Sequence, residues 1–477
     1  MALSLVSAVA GAAGAVGAAP LAEPGPTAVA AGTDPVTALT LGREAYDYGF
    51  PLLEFLRVRS EQTSVRCPDG RGNAPVNSFS HTPTFAGPED RTVVAPNTDT
   101  LYSIAHLDLG RGPVTLRHPA MGRRYVSFAM LDPYTNVIAT PGVREDGPGA
   151  ATIRVRWTTR PGRVTGRNVP RPTRVVDSPS RFVWIIGRTL ATDTADQRTA
   201  YRQMQRYTLT LPDGRQRRFA EGCRAGAPRR SPTPTDGAAF VARLNRALAE
   251  NPPPRRDAPL LARLRLYGVG PGFSPERAGL DPLTRGALLQ GVTAQARALP
   301  QLARAEALLA AQRSGGWYDP PPSIGRFGTD YAYRARIAAL GLGANTVEEA
   351  TYPAGLTDSL GVPLVGINSY RITFTADRLP PVRYFWSLTM YDSDGYLVPN
   401  AARRFSVGPS HPPLVRRPDG SVVIVVSATR PAATDVNWLP APRSQFRLNL
   451  RLYGPKPPAL DGEWSPPPIE NLGPLPG

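Results

Sequence analysis

The chain contains 477 residues, 41% of them hydrophobic, which is enough to bury the cores of two or three globular domains. Its 54 prolines and 45 glycines make up roughly a fifth of the chain, below the level that indicates wholesale disorder. The formal net charge of +17 would suit a nucleic-acid partner, but the basic residues are scattered, only Lys456 is a lysine, and no recognised nucleic-acid module is present. We therefore predict a globular protein without a nucleic-acid partner.

The N-terminal residues have the composition of a targeting segment. Residues 2–19 are small and apolar, and residues 20–36 are rich in proline, glycine and alanine. This pattern is similar to the apolar core and cleavage region of a secretory signal, although the basic start is missing; the alternative is an alanine-rich tail. No later segment reaches the ~18 consecutive apolar residues of a membrane span. We predict a signal-like segment over residues 1–35 and an exported protein, periplasmic or extracellular, without a transmembrane span.

Two β-rich regions flank a helical middle. Residues 36–59 predict a helix that breaks near Gly49 and Pro51, and residues 60–190 change to the strand-like alternation seen at Ile153, Val155 and Trp157. Residues 191–345 combine helical spacing with a Pro- and Arg-rich linker. Strands return over residues 360–455, where Leu448, Leu450 and Leu452 alternate with polar residues, and residues 456–477 form a Pro-rich tail.

A near-repeat links the two β-rich regions. Residues 125–132, YVSFAMLD, resemble residues 385–392, FWSLTMYD, in their opening aromatic residue and in their shared Ser, Met and Asp. The copies lie about 260 residues apart, so local composition explains the likeness poorly. The repeat predicts a fold that is mainly β with a helical insert, with two related β-domains in tandem.

The two cysteines, Cys67 and Cys223, leave two interpretations open. An exported protein would join them as a disulfide. Two separate thiols fit the sequence equally well, because sequence alone does not give the distance between them.

Standard catalytic and metal-binding signatures are missing. The chain has no GxSxG, HExxH, CxxC or P-loop segment. A metal site would require His81, His106 and Asp99 to converge, and separate histidines are the simpler interpretation. We predict no metal site, and the sequence identifies no cofactor.

The most unusual polar segment is residues 95–103, APNTDTLYS. Short Asn and Asp side chains bond readily to nearby backbone N–H groups, so an ordered turn is the first interpretation. The alternative places Asp99 and Tyr102 in a pocket, with Asp99 as a base or polar anchor. Asp132 and Asp392, at the ends of the repeated strands, are each predicted to cap a turn, in preference to calcium binding by residues 392–395.

These segments resemble those of bacterial proteins that pair domain of unknown function 1254, at the N-terminus, with domain of unknown function 1214, at the C-terminus. The first resemblance rests on residues 45–51, 95–103 and 124–136, and the second on residues 385–392 and 437–442. It implies two jelly-roll-like β-domains in tandem and export, but no settled activity.

Two functional classes follow from these observations. The first is binding or hydrolysis of a small molecule in a pocket, with Asp99 and Tyr102 as catalytic candidates and Arg404 holding an anionic group. The second is a non-catalytic envelope or shell-like structural protein; a homo-oligomer is compatible with both. The candidate ligand-binding residues are Asn97, Asp132, Trp386, Asp392, Arg404 and Trp438.

Overall fold

The computed structural model describes residues 34–91, 94–166, 168–410 and 414–474. The signal-like segment predicted over residues 1–35 lies outside these ranges except for its last two residues. No helix in the described ranges is long and apolar enough to cross a membrane.

The helices lie mainly at the N-terminus and in the middle of the chain. Their bounds are α1 Pro35–Thr63, α2 Val143–Asp146, α3 Thr194–Met204, α4 Gly237–Glu250, α5 Ala258–Arg265, α6 Pro282–Arg313, α7 Tyr331–Gly341 and α8 Pro457–Leu460. Short 3-10 turns occupy Arg255–Asp257, Pro275–Arg277 and Ala376–Arg378.

Helix α1 begins at a clear cap and does not end where the sequence predicted. The Asp34 carboxylate accepts hydrogen bonds from the backbone N–H groups of Val36 and Thr37, which satisfies two donors of the first turn. The predicted break near Pro51 is wrong, because the helix continues to Thr63. Buried residues on both sides of Pro51 pack in one apolar core with α4, α5 and α6, and this packing outweighs the local cost of the proline.

The first β-sandwich consists of two sheets. Its strands are β1 Ser80–His81, β2 Thr100–Asp108, β3 Val114–His118, β4 Val126–Leu131, β5 Val137–Ala139, β6 Ala151–Trp157, β7 Arg174–Ser178, β8 Phe182–Leu190 and β9 Thr208–Thr210. One sheet has the order β1-β2-β8-β4-β5 and the other the order β7-β6-β3-β9. Every pairing is antiparallel except that of β6 with β7.

The second sandwich repeats this plan. Its strands are β10 Trp317–Tyr318, β11 Ala350–Thr351, β12 Ala354–Gly355, β13 Asn368–Phe374, β14 Val382–Asp392, β15 Ser406–Val407, β16 Val422–Ser427, β17 Asn437–Pro440, β18 Phe446–Pro455 and β19 Glu470–Pro474. One sheet runs β10-β12-β18-β14-β15, with β11 also on β18, and the other runs β17-β16-β13-β19. The pairing of β16 with β17 is parallel, as is that of β6 with β7. The predicted fold class is confirmed.

The repeated sequence segments form corresponding strands. β4 lies between β8 and β5, and β14 lies between β18 and β15. Ser127 of β4 is opposite Arg188 of β8, and Ser387 of β14 is opposite Arg451 of β18. One sheet plan therefore occurs twice, and it brings Arg188 and Arg451 to equivalent positions.

A helical layer packs beside the sandwiches, and α6 is its longest member. At 32 residues it extends about 48 Å. Helix α1 approaches it closely through glycines: a Cβ atom at Gly42 would lie 2.1 Å from the Leu288 carbonyl oxygen. Only glycine permits this approach, which fixes α6 against α1.

Cys67 and Cys223 form a disulfide, with their Cα atoms 6.4 Å apart. The bond joins the segment after α1 to the Arg-rich linker of residues 213–236. This pairing decides between the two interpretations that the sequence left open.

Candidate ligand-binding cavity

A cavity of about 410 Å³ lies where the two sandwiches meet helices α6 and α7. Strand β18 supplies one side through Arg447, Asn449, Arg451 and Tyr453. Successive strand residues point to opposite faces, so the alternating leucines of β18 are buried in the core of the second sandwich. The face that alternation marks as polar therefore faces the cavity.

The floor of the cavity consists of two equivalent sets of residues, one from each sandwich. In the first sandwich Arg188 lies between Ser127 of β4 and Tyr102 of β2. In the second, Arg451 pairs with Ser387, and the pairing of Thr351 with Leu452 and of Ala354 with Asn449 puts Tyr352 opposite Arg451.

These two serine–arginine–tyrosine rows are equivalent in the fold. Both arginines and both tyrosines, Tyr102 and Tyr352, line the cavity.

Arg188 is held by neutral acceptors. Its guanidinium donates to Asn345 Oδ1 at 3.0 Å and to the Gly343 carbonyl oxygen at 2.9 Å, and it lies 5.8 Å from the centre of the Tyr102 ring. Two of its five N–H groups are used in these bonds. Only 7% of the residue is exposed.

Arg451 is equally enclosed, at 3% exposure. It donates to Thr389 Oγ1 at 2.8 Å, to the Ala95 carbonyl oxygen at 2.8 Å and to the Tyr391 hydroxyl at 2.6 Å. Burial alone would lower the pKa of Arg451, but Tyr391, Tyr453 and Asp99 reverse the direction and raise it. Over the described residues, neither Arg451 nor Arg188 forms a salt bridge.

The tyrosines beside the arginines are neutral at physiological pH. Burial raises the pKa of Tyr352 and of Tyr453 above the ordinary value of 10. Their hydroxyl groups accept hydrogen bonds from the amides of Asn345 and Asn97 respectively. The floor thus combines two cations with neutral hydroxyl and amide groups.

The opposite wall, on α6 and α7, is largely apolar, with a charged rim. Its apolar lining residues are Ala303, Ala307, Leu308, Ile337 and Leu340. At the rim, Arg336 pairs with Glu306 at 3.2 Å, and Arg304 lies 3.4 Å from Asp394. Glu306 is the single carboxylate among the lining residues, against five arginines.

Of the residues predicted from the sequence, Asn97 and Tyr102 line this cavity. Asp99 does not: it is buried, and its Oδ2 accepts a hydrogen bond from Ser387 Oγ at 2.6 Å. Its backbone N–H donates to Asn97 Oδ1 at 2.7 Å. The ordered-turn interpretation therefore describes Asp99, while its neighbours form part of the cavity.

Asp132 and Asp392 cap equivalent turns. Asp132 Oδ1 accepts from the Asn136 backbone N–H at 2.9 Å, and Asp392 Oδ1 accepts from the Tyr396 backbone N–H at 2.8 Å. In both turns the aspartate N–H also donates to the carbonyl oxygen four residues later, at 2.9 Å. This is the capping role predicted for both, and neither residue lines the cavity.

The remaining candidates lie in the second sandwich, away from the cavity. Trp386 is buried in its core against Phe374. Arg404 donates to the Trp438 carbonyl oxygen at 2.9 Å, and the Trp438 indole donates to Ser427. Their polar atoms hold loops of the sandwich together.

The three histidines that the structure describes do not gather into a metal site. His106 stacks on Trp184 with ring centres 5.5 Å apart, and burial lowers the pKa of His81 to about 4. No group of three or more His, Cys, Asp or Glu residues with metal-binding geometry occurs in the described ranges.

Sequence reasoning missed Arg188, Arg447, Asn449 and Arg451. A signal for three of them existed in the alternation of β18, but alternation does not show what covers the polar face. For Arg188 there was no such signal, because its position depends on the pairing of β8 with β4 and β2.

Comparisons with known proteins agree with this architecture. Residues 76–211 match the family model "Protein of unknown function (DUF1254)", and residues 349–457 match "Protein of unknown function (DUF1214)". A search of curated proteins finds no match.

Among solved structures, the VPA0106 protein from Vibrio parahaemolyticus is similar over 91% of this chain and 100% of its own, at 23% identity and a TM-score of 0.66. A putative uncharacterized protein from Burkholderia cenocepacia covers 92% of this chain and 94% of its own, at 15% identity and a TM-score of 0.42. The first likeness supports the fold alone. With both models matched in the order expected from its motifs, the chain belongs to the family of proteins that carry a DUF1254 domain followed by a DUF1214 domain.

Proposed function

We propose that this protein binds a small amphipathic anion, of the carboxylate class, in the cavity between the sandwiches and helices α6 and α7. The observation that carries the proposal is the pair of buried arginines, Arg188 and Arg451, which face the cavity and have no salt-bridge partner within the described ranges. A charge taken out of water is costly unless an opposite charge compensates it. Asp99 supplies part of that compensation at Arg451, and an anionic ligand would supply the rest.

The hydrogen-bonding capacity of the floor supports the same class of ligand. A guanidinium offers five N–H groups in a planar fork that matches a carboxylate. Arg188 donates two of them to Asn345 and Gly343, and Arg451 donates three to Thr389, Ala95 and Tyr391. The neutral hydroxyl groups of Tyr352 and Tyr453 lie beside them.

The apolar wall supports an amphipathic rather than a purely polar ligand. Alanine and leucine side chains of α6 and α7 face the arginines across a cavity of about 410 Å³. This volume lies within the range of small-molecule sites, which combine apolar surface with a few polar anchors.

Binding is better supported than hydrolysis. Ser393 and Glu306 line the cavity, but no hydrogen bond joins them as a nucleophile and base would require. Asp99 and Ser387 are bonded at 2.6 Å, but neither residue lines the cavity.

The alternative of an envelope or shell-like structural protein does not explain why Arg188 and Arg451, which form no salt bridge with the described residues, face a cavity. Self-association stays a prediction, which size-exclusion chromatography with light scattering tests.

We also propose that the protein acts outside the cytoplasm. The Cys67–Cys223 disulfide supports this, because such bonds persist in oxidising compartments. Cell fractionation of the full chain, with a mass measurement of the mature N-terminus, tests the proposal; an uncleaved cytoplasmic protein would contradict it.

The binding proposal is tested by a thermal-shift screen of medium-chain carboxylates, followed by calorimetric titration of the full chain. We expect Arg188→Met and Arg451→Met to weaken binding by about 10- to 100-fold, because each removes a charged hydrogen-bond donor. Arg443→Gln is the matched control, since Arg443 is exposed and outside the cavity lining. No binding to the wild type, or equal binding by all variants, would overturn the proposal.

A further inference from the structure

Arg447 lies on the cavity-facing side of β18 and lacks a hydrogen-bond acceptor among the described residues. Its Nε is enclosed and unpaired. Its terminal nitrogens are not enclosed in this way, and the residue lines the cavity. A Cβ atom at Gly395 would lie 1.8 Å from Nη2, so the guanidinium rests directly against the backbone of that glycine. This packing holds the group in position without neutralising its charge.

The carboxylates near Arg447 are engaged elsewhere. Asp392 Oδ1 caps its own turn by accepting from Asp394 and Tyr396, and its Oδ2 lies 3.9 Å from Arg91. Asp394 lies 3.4 Å from Arg304 at an exposed position, where an ion pair contributes little. Burial lowers the pKa of Arg447; Arg304 acts in the same direction, and Tyr391 and Asp392 oppose the shift without reversing it. This end of the cavity is therefore short of negative charge.

Strand geometry separates Arg447 from the arginines of the floor. Arg447 and Arg451 are four residues apart on one face, so their Cα atoms are about 13 Å apart. Asn449 lies between them and also lines the cavity. Across from this strand, Ala307, Ile337 and Leu340 provide an apolar surface along the path between the two cationic ends.

We infer that the cavity binds a linear dianion, with one anionic group on Arg188 and Arg451, the second on Arg447 and Arg304, and an aliphatic chain along α6 and α7. An α,ω-dicarboxylate is the simplest molecule of this class. The inference rests on the proposed function and assigns Arg447 the role of selecting ligands by their second charge.

The test is calorimetric titration of the full chain with a homologous series of α,ω-dicarboxylates and monocarboxylates matched in carbon number. We expect the wild type to prefer the dicarboxylate by about tenfold or more at one chain length, with the preference falling at shorter and longer lengths. Arg447→Gln should abolish that preference and change monocarboxylate affinity much less. Arg443→Gln, which removes the same charge from an exposed loop, should retain the preference.

The outcomes separate the two proposals. Monocarboxylate binding without a length-dependent preference for dicarboxylates overturns this inference and leaves the proposed function standing. Failure of both series to bind overturns both. If Arg447→Gln does not fold, the length dependence of the wild type decides the matter, because attachment at two points requires one best length.

Discussion

The chain buries arginine in two different ways. Arg334 of α7, 1% exposed, lies within 5.6 Å of the ring centres of Tyr48, Tyr134 and Tyr331. Tyr48 and Tyr331 each donate a hydrogen bond to Asp257 at 3.0 Å. Asp132 is a further carboxylate close enough for Arg334 to lower its pKa. In this cluster the protein supplies both the cation and the anions.

The arginines of the cavity floor have the same chemistry and similar burial, but a different surrounding. Arg188 and Arg451 meet carbonyl, amide and hydroxyl oxygens, and they face an open cavity. The comparison indicates that burial alone does not distinguish a packing arginine from a binding one. What distinguishes them is the open cavity beside the floor, because Asp99 acts on Arg451 through its charge much as Arg334 acts on Asp132.

The largest effect is expected at the closed cluster, which consists of Arg334, its three neighbouring tyrosines, Asp132 and Asp257. Arg334→Met should lower the free energy of unfolding by about 3–5 kcal/mol, because it leaves Asp132 buried without the cation that lowers its pKa and empties a packed site among three tyrosines. Urea denaturation measures this change. A loss below about 1 kcal/mol would mean that Arg334 does not balance the charge of Asp132.

The contact between α1 and α6 supports both regions, because α1 carries Tyr48 and α6 forms the cavity wall. Gly42→Ala should cost about 1–3 kcal/mol, since its Cβ would lie 2.1 Å from the Leu288 carbonyl oxygen. Gly286→Ala, on an exposed position of α6 with no atom within 4 Å, is the control and should be neutral or slightly stabilising. Equal effects of the two substitutions in thermal denaturation would contradict the close approach of these helices.

The carboxylates of the closed cluster also predict a pH dependence. Burial raises the pKa of Asp132 to about 6, above its ordinary 3.8, so the folded state holds the proton more tightly than the unfolded state does. The resulting stability is present below pH 3.8 and is lost as pH rises through about 6. Between pH 4 and 6.5 the wild type should lose about 1–3 kcal/mol more than Asp132→Asn. Parallel stability curves would contradict the raised pKa.

The smallest stability effect is expected at the floor. Arg188→Met removes two hydrogen bonds but also removes a buried charge that the fold leaves uncompensated, so the unfolding free energy should change by less than about 1 kcal/mol. Denaturation of the ligand-free protein measures it. A loss as large as that of Arg334→Met would erase the distinction between the two clusters.

The architecture could be predicted because short segments of the sequence indicate it. The segments 125–132 and 385–392 share residues that a central strand and its capped turn require, so one repeat indicated both sheets and both turns. The capping roles of Asp132 and Asp392 could be predicted because each cap involves residues only a few positions apart in the sequence.

The cavity could not be predicted in the same way, because its floor depends on contacts between distant strands. Arg188 gains its role from pairing with Ser127 and Tyr102, and Arg451 from pairing with Ser387. Alternation in β18 identified a polar face, but not that α6 and α7 enclose it. The short polar segment of residues 95–103 did indicate Asn97 and Tyr102, since a rigid turn positions neighbouring side chains as well.

The most direct test of the central claim is the stabilisation that a bound carboxylate gives to the wild type and to Arg188→Met. At a ligand concentration of about 100 times its Kd, the unfolding free energy of the wild type should rise by about 2.7 kcal/mol, while that of Arg188→Met at the same concentration should rise by much less. Equal stabilisation of the two proteins would contradict the claim that the unpaired arginines of the floor are there to receive an anion.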